Sequence, residues 1–298
     1  MNPVVPELSK QPALDIPGLL RQAGLRPNKR LGQNFLMDSA ALDKVIQAAD
    51  LHKEDVVLEV GAGLGSLTRL LAVHACRVTA VEVDEHLFRL LTEIMSIYPN
   101  VHLVQGDILK LDPVELTAGD LGESHKGNYI VAANIPYYIT SAVIRHLLEA
   151  RRQPDRMVLT IQREVAERLC AKPGEMSLLS LSVQVYGQPK ITAQIPAGAF
   201  YPVPQVDSSV VQIVCFDEPL IPRHQLKLFF RLAKAGFSQK RKTLRNALAG
   251  GLHLSPQQAG DILQSAAIDP QRRAETLSLA EWHILVDACV SLSRPDQQ

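Results

Sequence analysis

The sequence of 298 residues predicts an α/β domain with an open parallel sheet, followed by a smaller all-helical C-terminal domain. Short apolar runs alternate with helical patterns until about residue 216, and no convincing strand follows Pro222. Several of the apolar runs end in glycine or in a polar side chain, which is typical of sheets that bind ligands at their carboxyl edge. We predict an amino-terminal arm over residues 1–25, an α/β domain over 26–218 and a helical domain over 219–298.

Composition narrows the class of protein without naming a partner. Lys plus Arg and Asp plus Glu both total 31, so the net charge favours neither an acidic nor a basic partner. The four cysteines are far apart and form no CxxC pair, which favours a reducing compartment and predicts no metal site. Prolines interrupt the amino terminus, and no uncharged apolar run has membrane-spanning length. We therefore expect a cytoplasmic protein without a membrane partner.

The first elements lead from a proline-containing arm to a helix. Residues 1–25 contain four prolines and are predicted to be mobile or loosely docked. The segment from Arg26 to Leu36 is basic at first and then mixes polar and apolar residues. A helix over 38–49 follows, with Asp38 or Ser39 as its cap.

A strand over 56–60 runs directly into the glycine-rich segment Gly61-Ala62-Gly63-Leu64-Gly65, and a helix over 66–74 follows. Glycines at such a turn allow the backbone to approach a ligand closely. The pattern is GxGxG rather than the GxGxxG of dinucleotide-binding proteins, so it is a weak signal by itself.

Two carboxylates end the next two strands, which we predict over 77–81 and 101–105. Glu82 is suited to accept hydrogen bonds from a ribose diol, and Asp107 could accept from an adenine amino group. For either residue alone, a helix cap is an equally good explanation. Because three consecutive strands end in a glycine loop or an acid, a ligand site is the better interpretation.

Asn134-Ile135-Pro136-Tyr137 closes the apolar run 129–133 and precedes a helical pattern over 140–150. Asn134 offers a carbonyl oxygen that can accept from an amino group, and Tyr137 offers a flat face for a ring. Pro136 restricts the backbone between them. This combination suits an exocyclic amine on a planar heterocycle, such as adenine N6. The alternative is a simple turn at the end of a strand.

The remaining α/β elements are less sharply defined. A polar stretch after Asp112 is predicted to be a loop, and a strand over 156–162 with a helix over 163–171 follows. Residues 177–186 are ambiguous and favour a helix. Strands over 191–195 and 208–216 flank a proline-rich loop that holds Phe200 and Tyr201. These aromatics are either presented rigidly to a ligand or packed against the protein.

The last third is predicted to contain helices over 224–236, 240–248, 256–266 and 279–292. Between Pro219 and Gly260 there are eight basic residues and no acidic one, namely Arg223, Lys227, Arg231, Lys234, Lys240, Arg241, Lys242 and Arg245. Without acids in this segment, local salt bridges do not explain the cluster. An RNA backbone explains it, and the alternative is a solvated helical face.

Several motifs together resemble those of ribosomal RNA adenine N6,N6-dimethyltransferases. They are Gly32-Gln33-Asn34-Phe35-Leu36, Val60 to Gly65, Asn134 to Tyr137, Phe200 to Ser208 and Phe237 to Asn246. The resemblance covers about residues 26 to 292 and is strongest to the bacterial small-subunit (KsgA) type. It implies a Rossmann-like S-adenosylmethionine-dependent methyltransferase domain.

The resemblance also implies roles for individual residues. The S-adenosylmethionine contacts would be Asn34, Leu36, Gly61, Glu82, Asp107 and Asn134. The target base would lie against Asn134, Pro136 and Tyr137, with Phe200 on its other side. The RNA-binding residues would be Lys240, Arg241, Lys242 and Arg245.

The implied substrate is a pair of adjacent adenines in the 3′-terminal hairpin loop of 16S rRNA, modified on the immature small subunit by a monomer that needs no metal. Two alternatives stay open: an erythromycin-resistance type of enzyme acting on 23S rRNA, and a non-catalytic ribosome-assembly or nucleic-acid-binding factor. A nicotinamide dehydrogenase is less favoured, because GxGxG and Asp107 fit a methyl donor better.

Overall fold

A computed structural model describes residues 13–121 and 129–292. The chain forms two compact units. The first comprises the described residues up to Ala166 together with Pro189–Cys215, and the second comprises Glu167–Gln188 together with the described residues from Phe216 onward. Within the described ranges, every helix is too short or too polar to cross a membrane.

The first unit is built on a seven-stranded sheet. Its strands are β2 (Val56–Val60), β3 (Arg77–Glu82), β4 (Val101–Gln105), β5 (Ile130–Asn134), β6 (Arg156–Gln162), β7 (Gly187–Ile195) and β9 (Ser208–Cys215). Their order is β4-β3-β2-β5-β6-β9-β7, and β4, β3, β2, β5 and β6 are parallel to one another, whereas β9 is antiparallel to β6. All five residues of β2 are buried, as expected for a parallel strand covered on both faces.

Helices accompany this sheet along the chain. They are α1 (Ile16–Gln22), α2 (Ser39–Ala49), α3 (Ser66–His74), α4 (Glu85–Met95), α5 (Pro113–Leu121), α6 (Thr140–Leu148) and α7 (Arg163–Leu169). Apolar residues of α2, α3 and α4 pack with the strands into a core that includes Val45, Leu71 and Leu91. The alternation of strands and helices confirms the predicted α/β fold class.

A separate two-stranded sheet joins distant parts of the chain. Strand β1 (Phe35–Leu36) pairs antiparallel with β8 (Phe200–Tyr201), so that Phe35 lies opposite Tyr201 and Leu36 opposite Phe200. This pairing brings the segment that precedes Phe35 close to the proline-rich loop that follows Tyr201.

Part of the predicted loose arm is a docked helix. In α1, Ile16 is 0% exposed and Leu20 is 2% exposed, and they pack with Phe35 and Leu87. The prolines suggested irregular structure, but Pro17 occupies the first turn of α1, where a missing N–H costs little. Residues 1–12 of the predicted arm lie outside the described residues.

The predicted loop after Asp112 is also partly helical. Helix α5 begins at Pro113, and the Asp112 carboxylate accepts a hydrogen bond from the Val114 N–H at 2.8 Å. An aspartate followed by proline is a helix-start signal that outweighs the polar composition of this stretch. The predicted loop residues Gly122, Glu123 and Ser124 lie outside the described residues.

The second unit contains α8 (Leu178–Gln184), α9 (Leu226–Gly236), α10 (Leu244–Leu252), α11 (Pro256–Ser265) and α12 (Leu279–Leu292). Its core is aromatic: Trp282 is fully buried, and its ring stacks on Phe237 and meets Phe229 edge to face. Phe229 lies in α9 and Trp282 in α12, within two of the helices predicted from the sequence, and Phe237 directly follows α9.

The division into units differs from the predicted continuous domain over 26–218. Residues 167–188 group with the helical unit, because the Val185 carbonyl accepts from the Leu220 N–H at 2.9 Å and the Gly174 N–H donates to the Glu275 carbonyl at 2.8 Å. These partners are remote in sequence, so the composition of the 167–188 segment gave no sign of them.

Candidate functional site

A cavity of about 260 Å³ lies at the carboxyl edge of the parallel strands, where β2, β3, β4 and β5 end. We call it the first cavity. Seven of the residues singled out from the sequence line it, namely Asn34, Gly61, Glu82, Asp107, Asn134, Pro136 and Tyr137. Because parallel strands end at the same edge, polar residues that are far apart in sequence converge on one site.

The glycine-rich turn after β2 forms one side of the first cavity. Gly61 has a φ of +76° and Gly63 a φ of +59°, conformations that L side chains rarely adopt. A Cβ at Gly63 would lie 3.1 Å from the Phe35 ring. Glycine is therefore needed here for backbone conformation and for close packing.

Glu82 ends β3 and is only 5% exposed. Its carboxylate accepts hydrogen bonds from the Gly63 N–H at 2.7 Å and the Asp84 N–H at 2.9 Å. Burial raises the pKa of Glu82, while these two backbone donors act in the opposite direction. Each carboxylate oxygen has more than one lone pair, so Glu82 keeps acceptor capacity for a ligand in the cavity.

The sequence left a helix cap as the alternative role for both acids, and the structure separates them. Asp84, not Glu82, caps α4, since it accepts from the N–H groups of His86 and Leu87. Asp107 does act as a cap: it accepts from the Leu109 N–H at 3.1 Å. Asp107 also lines the first cavity, so its capping bond orients a carboxylate that a ligand can reach.

Asn134 is held by the segment that contains Asn34. The Asn134 side-chain N–H donates to the Asn34 carbonyl at 2.9 Å, and the Asn34 side chain donates to the Gly32 carbonyl at 3.1 Å. Gln33 extends the connection by donating to the Asp84 carboxylate at 3.0 Å. Because the Asn134 amide nitrogen is used in this way, its side-chain oxygen is the atom left to accept from a substrate.

Tyr137 is held through its hydroxyl and lies in a hydrogen-bonded turn. Its hydroxyl lies 2.9 Å from the Ser208 hydroxyl, and its ring is half-buried, which raises the pKa of the phenol. The turn that follows is closed by the Pro136 carbonyl, which accepts from the Ile139 N–H at 3.2 Å. A neutral ring in a fixed orientation suits contact with a planar heterocycle.

Two predicted site residues do not reach the first cavity. Leu36 is 4% exposed and Phe200 is 1% exposed, and both side chains lie in the core. Their backbones are paired as strands β1 and β8, which turns the side chains inward. The structure therefore does not bring Phe200 to the position expected across a bound base, and the alternative of a packed loop aromatic holds for this residue.

The chain matches a known protein family over most of its length. Residues 24–288 match the family described as ribosomal RNA adenine dimethylase. The chain belongs to this family. The predicted family resemblance is thereby confirmed over nearly the whole range proposed for it.

Named relatives support the same assignment. A Dehalococcoides mccartyi protein named ribosomal RNA small subunit methyltransferase A is 48% identical over 258 residues, which cover 87% of each chain. A Moorella thermoacetica protein of the same name is 42% identical and covers 89% of this chain and 93% of its own. Among solved structures, the 23S rRNA methyltransferase ErmE has a TM-score of 0.67 at 26% identity, covering 85% of this chain and 98% of its own.

This dimethylase has a second and wider cavity of about 1080 Å³ in the same unit, which the sequence did not indicate. We call it the second cavity. It shares Gly32, Gln33, Asn34 and Tyr137 with the lining of the first cavity. Its walls come from α1, from the segment 24–29 and from the loop 201–206. Two features noted in the sequence do line it: the basic start of the 26–36 segment and Tyr201 of the proline-rich loop.

The basic block lies in the second unit. Lys240, Arg241 and Lys242 are exposed, but they form a turn before α10 rather than its first residues, because that helix begins at Leu244. Arg245 is within α10 and is partly buried.

One further detail of the block agrees with the sequence interpretation and one differs. On α9, Lys227, Arg231 and Lys234 share the exposed side. Arg223 precedes that helix and pairs with Glu218 at 2.9 Å, so an acid just outside the block does supply one local partner.

Proposed function

We propose that this dimethylase transfers methyl groups from S-adenosylmethionine to N6 of two adjacent adenines in the 3′-terminal hairpin loop of 16S rRNA. The observation that carries the proposal is the convergence of Asn134 and Tyr137 with the buried carboxylate of Glu82 on one cavity. An amino-group acceptor and a ribose-binding acid are the two features that such a transfer needs side by side.

The lining of the first cavity fits the methyl donor. Glu82 would accept from the ribose hydroxyls, and Asp107 would accept from the adenine amino group of the donor. Gly61 has no side chain, so the backbone after β2 can approach the donor closely. The Asn34 segment would close the opposite side of the site. When bound, S-adenosylmethionine supplies an electrophilic methyl group on a sulfonium sulfur.

Asn134 and the turn after it fit the methyl acceptor. Adenine N6 is a poor nucleophile, because its lone pair is delocalised into the ring. The Asn134 side-chain oxygen would accept one amino hydrogen. The Pro136 carbonyl already accepts from the Ile139 N–H, so the Ile135 carbonyl is the better candidate for the second hydrogen. Two acceptors favour a pyramidal nitrogen whose lone pair points toward the methyl group.

Most of the rate enhancement would come from positioning and electrostatics. The target adenine must leave its stack to enter the site, which costs least in a loop. Tyr137 would then receive one face of the base. The buried position of Phe200 removes it from this role in the conformation described, so Tyr137 carries the stacking contact.

The small-subunit substrate is favoured over the large-subunit one. Relatives at 48% and 42% identity carry the name ribosomal RNA small subunit methyltransferase A, whereas the ErmE likeness is at 26% identity. The exposed turn Lys240-Arg241-Lys242 would bind RNA phosphates in either case. A purely non-catalytic assembly role is disfavoured, because the Asn134–Tyr137 motif is intact and opens onto the donor cavity.

The test is to supply labelled S-adenosylmethionine with small and large ribosomal subunits that lack their adenine methyl groups, and then to map the labelled bases. We expect label on N6 of two neighbouring adenines of the small-subunit RNA and none on the large subunit. Label confined to the large subunit would support the erythromycin-resistance type instead. No transfer to either subunit would reject the catalytic proposal.

A further inference from the structure

The charged residues that line the second cavity are all positive. Arg21, Arg26 and Lys29 contribute to its walls, and among the described residues that line it there is no Asp or Glu. The cavity meets the first cavity at Asn34 and Tyr137, which line both. A chain that enters the second cavity therefore comes directly to the proposed methyl-transfer site.

The three cations have no ion-pair partner within the part of the chain that the structure describes. All three side chains are exposed, and the acidic partners of other surface cations, such as Glu85 of Arg89, have no counterpart here. Arg21 lies in the last turn of α1, where a positive charge favours the helix dipole. That effect explains Arg21 by itself but not the presence of Arg26 and Lys29 on the same cavity wall.

Helix α1 gives this cationic wall a rigid support. Ile16 and Leu20 are buried against Phe35 and Leu87, and both of those residues also line the first cavity. The helix that carries Arg21 is thus packed on the donor site. It lies before residue 24, where the match to the dimethylase family begins.

Another part of the lining has a different character. It is formed by the loop from Tyr201 to Val206, in which Val203 is 65% exposed and Val206 is 45% exposed. Gln162 and Gln205 add neutral hydrogen-bonding groups to this lining. A cavity lined by cations from α1 and the segment after it, and by apolar and amide groups from other segments, fits a single strand of nucleic acid, whose phosphates bind cations and whose bases contact neutral groups.

We propose that the second cavity binds the RNA strand next to the target adenine, and that Arg21, Arg26 and Lys29 contact its phosphates. This inference rests on the proposed function, because it identifies how the substrate of the same site is held. The three cations act as positioning residues: they fix the strand, and Asn134 and Tyr137 contact the reacting base.

The experiment compares two variants with the same change in charge. The first replaces Arg21, Arg26 and Lys29 with Gln. The control replaces three exposed cations of the same unit that line neither cavity, Arg89, Arg151 and Lys190, with Gln. Filter binding to small subunits that lack the adenine methyl groups is measured from low to high salt, together with steady-state methylation and S-adenosylmethionine affinity.

For the cavity variant we expect a salt dependence shallower than the control's by about two units of slope, since each phosphate contact on a single strand contributes roughly 0.7. The KM for the subunit should rise with little change in kcat, and the affinity for S-adenosylmethionine should match the parent's. Equal salt slopes for the two variants would overturn the inference. If the parent itself transfers no methyl group to the subunit, the proposed function fails, which is a distinct result from equal slopes with an active parent.

Discussion

The two cavities of the first unit share a border but differ in charge and burial. The first cavity is lined by Glu82, a buried acid at a strand end, and Glu59 lies in the neighbouring strand β2 with its side chain 2% exposed. The second cavity carries exposed cations on α1 and on the segment after it. A buried acid such as Glu82 suits the hydroxyl groups of a small donor, and exposed cations suit phosphates. This difference is the basis for proposing that the donor binds in the first cavity and the RNA strand in the second.

The largest effect should follow from a change at Asn134, which lines the first cavity. Asn134→Ala removes the oxygen proposed to accept from adenine N6, and kcat should fall by about 10²–10³-fold, as for one preorganised electrostatic contact. RNA affinity should change little. Single-turnover methylation and filter binding measure the two quantities, and calorimetry with S-adenosylmethionine detects any accompanying decrease in donor affinity. Dimethylation at a near-normal rate would remove Asn134 from the chemistry.

A smaller effect confined to the donor is expected from Glu82→Ala. Removal of a charged acceptor for the ribose should weaken S-adenosylmethionine binding by roughly 1.5–3 kcal/mol while leaving RNA affinity unchanged. Glu93→Ala is the matched control, because Glu93 is an exposed acid on α4 that lines neither cavity. Calorimetry that gives equal donor affinities for the two variants would exclude Glu82 from the site.

The pH dependence of donor binding gives a second test of the role of Glu82. Burial raises the pKa of Glu82 above the ordinary glutamate value, so this carboxylate takes up a proton at a higher pH than an exposed one does. Donor hydroxyls bind the ionised form, and the affinity should therefore weaken as pH falls toward that raised pKa. In Glu82→Gln this pH dependence should disappear. An identical pH profile for parent and variant would contradict the assignment.

The basic turn of the second unit should affect RNA binding alone. Replacing Lys240, Arg241 and Lys242 with Gln should reduce the salt slope of subunit binding by about one unit for each phosphate that the turn binds in the parent. The control replaces Arg168, Lys172 and Arg273, three exposed cations of the same unit that lie outside the basic block. Donor affinity should not change in either variant. Equal slopes would mean that the turn is solvated surface.

The smallest effect concerns stability rather than activity. Burial raises the pKa of Glu59 to about 8, and the nearby charge of Glu82 adds to this. The folded state therefore holds a proton that the unfolded state releases, so the free energy of unfolding should decline as pH rises from about 4.5 to about 8. Glu59→Gln should show a weaker decline in urea unfolding. Parallel curves for parent and variant would show that Glu59 does not titrate in this range.

The first cavity could be predicted from the sequence because its residues follow directly from local patterns. Each polar residue at its edge ends a recognisable apolar run, and parallel strands bring those ends together. The predicted strands also indicated that Glu82, Asp107 and Asn134, which stand at the ends of three of them, would lie close together. The helix-cap roles of Asp84 and Asp107, and the burial of Leu36 away from the cavity, had to come from the structure.

The second cavity could not be predicted in this way. It depends on the pairing of Phe35 with Tyr201, residues that are remote in sequence, and no local pattern specifies that pairing. The same pairing buries Phe200, whose motif suggested an exposed role. The prolines of residues 1–25 predicted a mobile or loosely docked arm rather than the helix α1. One of them, Pro17, is a first-turn residue of that helix.

The most direct test of the account is a crystal structure of the protein with S-adenosylhomocysteine, which retains the adenosine of the donor. The account predicts that the ligand occupies the first cavity, with its ribose hydroxyls in hydrogen-bond contact with Glu82 and its adenine beside Asp107. The second cavity should remain open to the RNA strand. A ligand bound among Arg21, Arg26 and Lys29, or one without contact to Glu82, would contradict the division of the two cavities between donor and RNA.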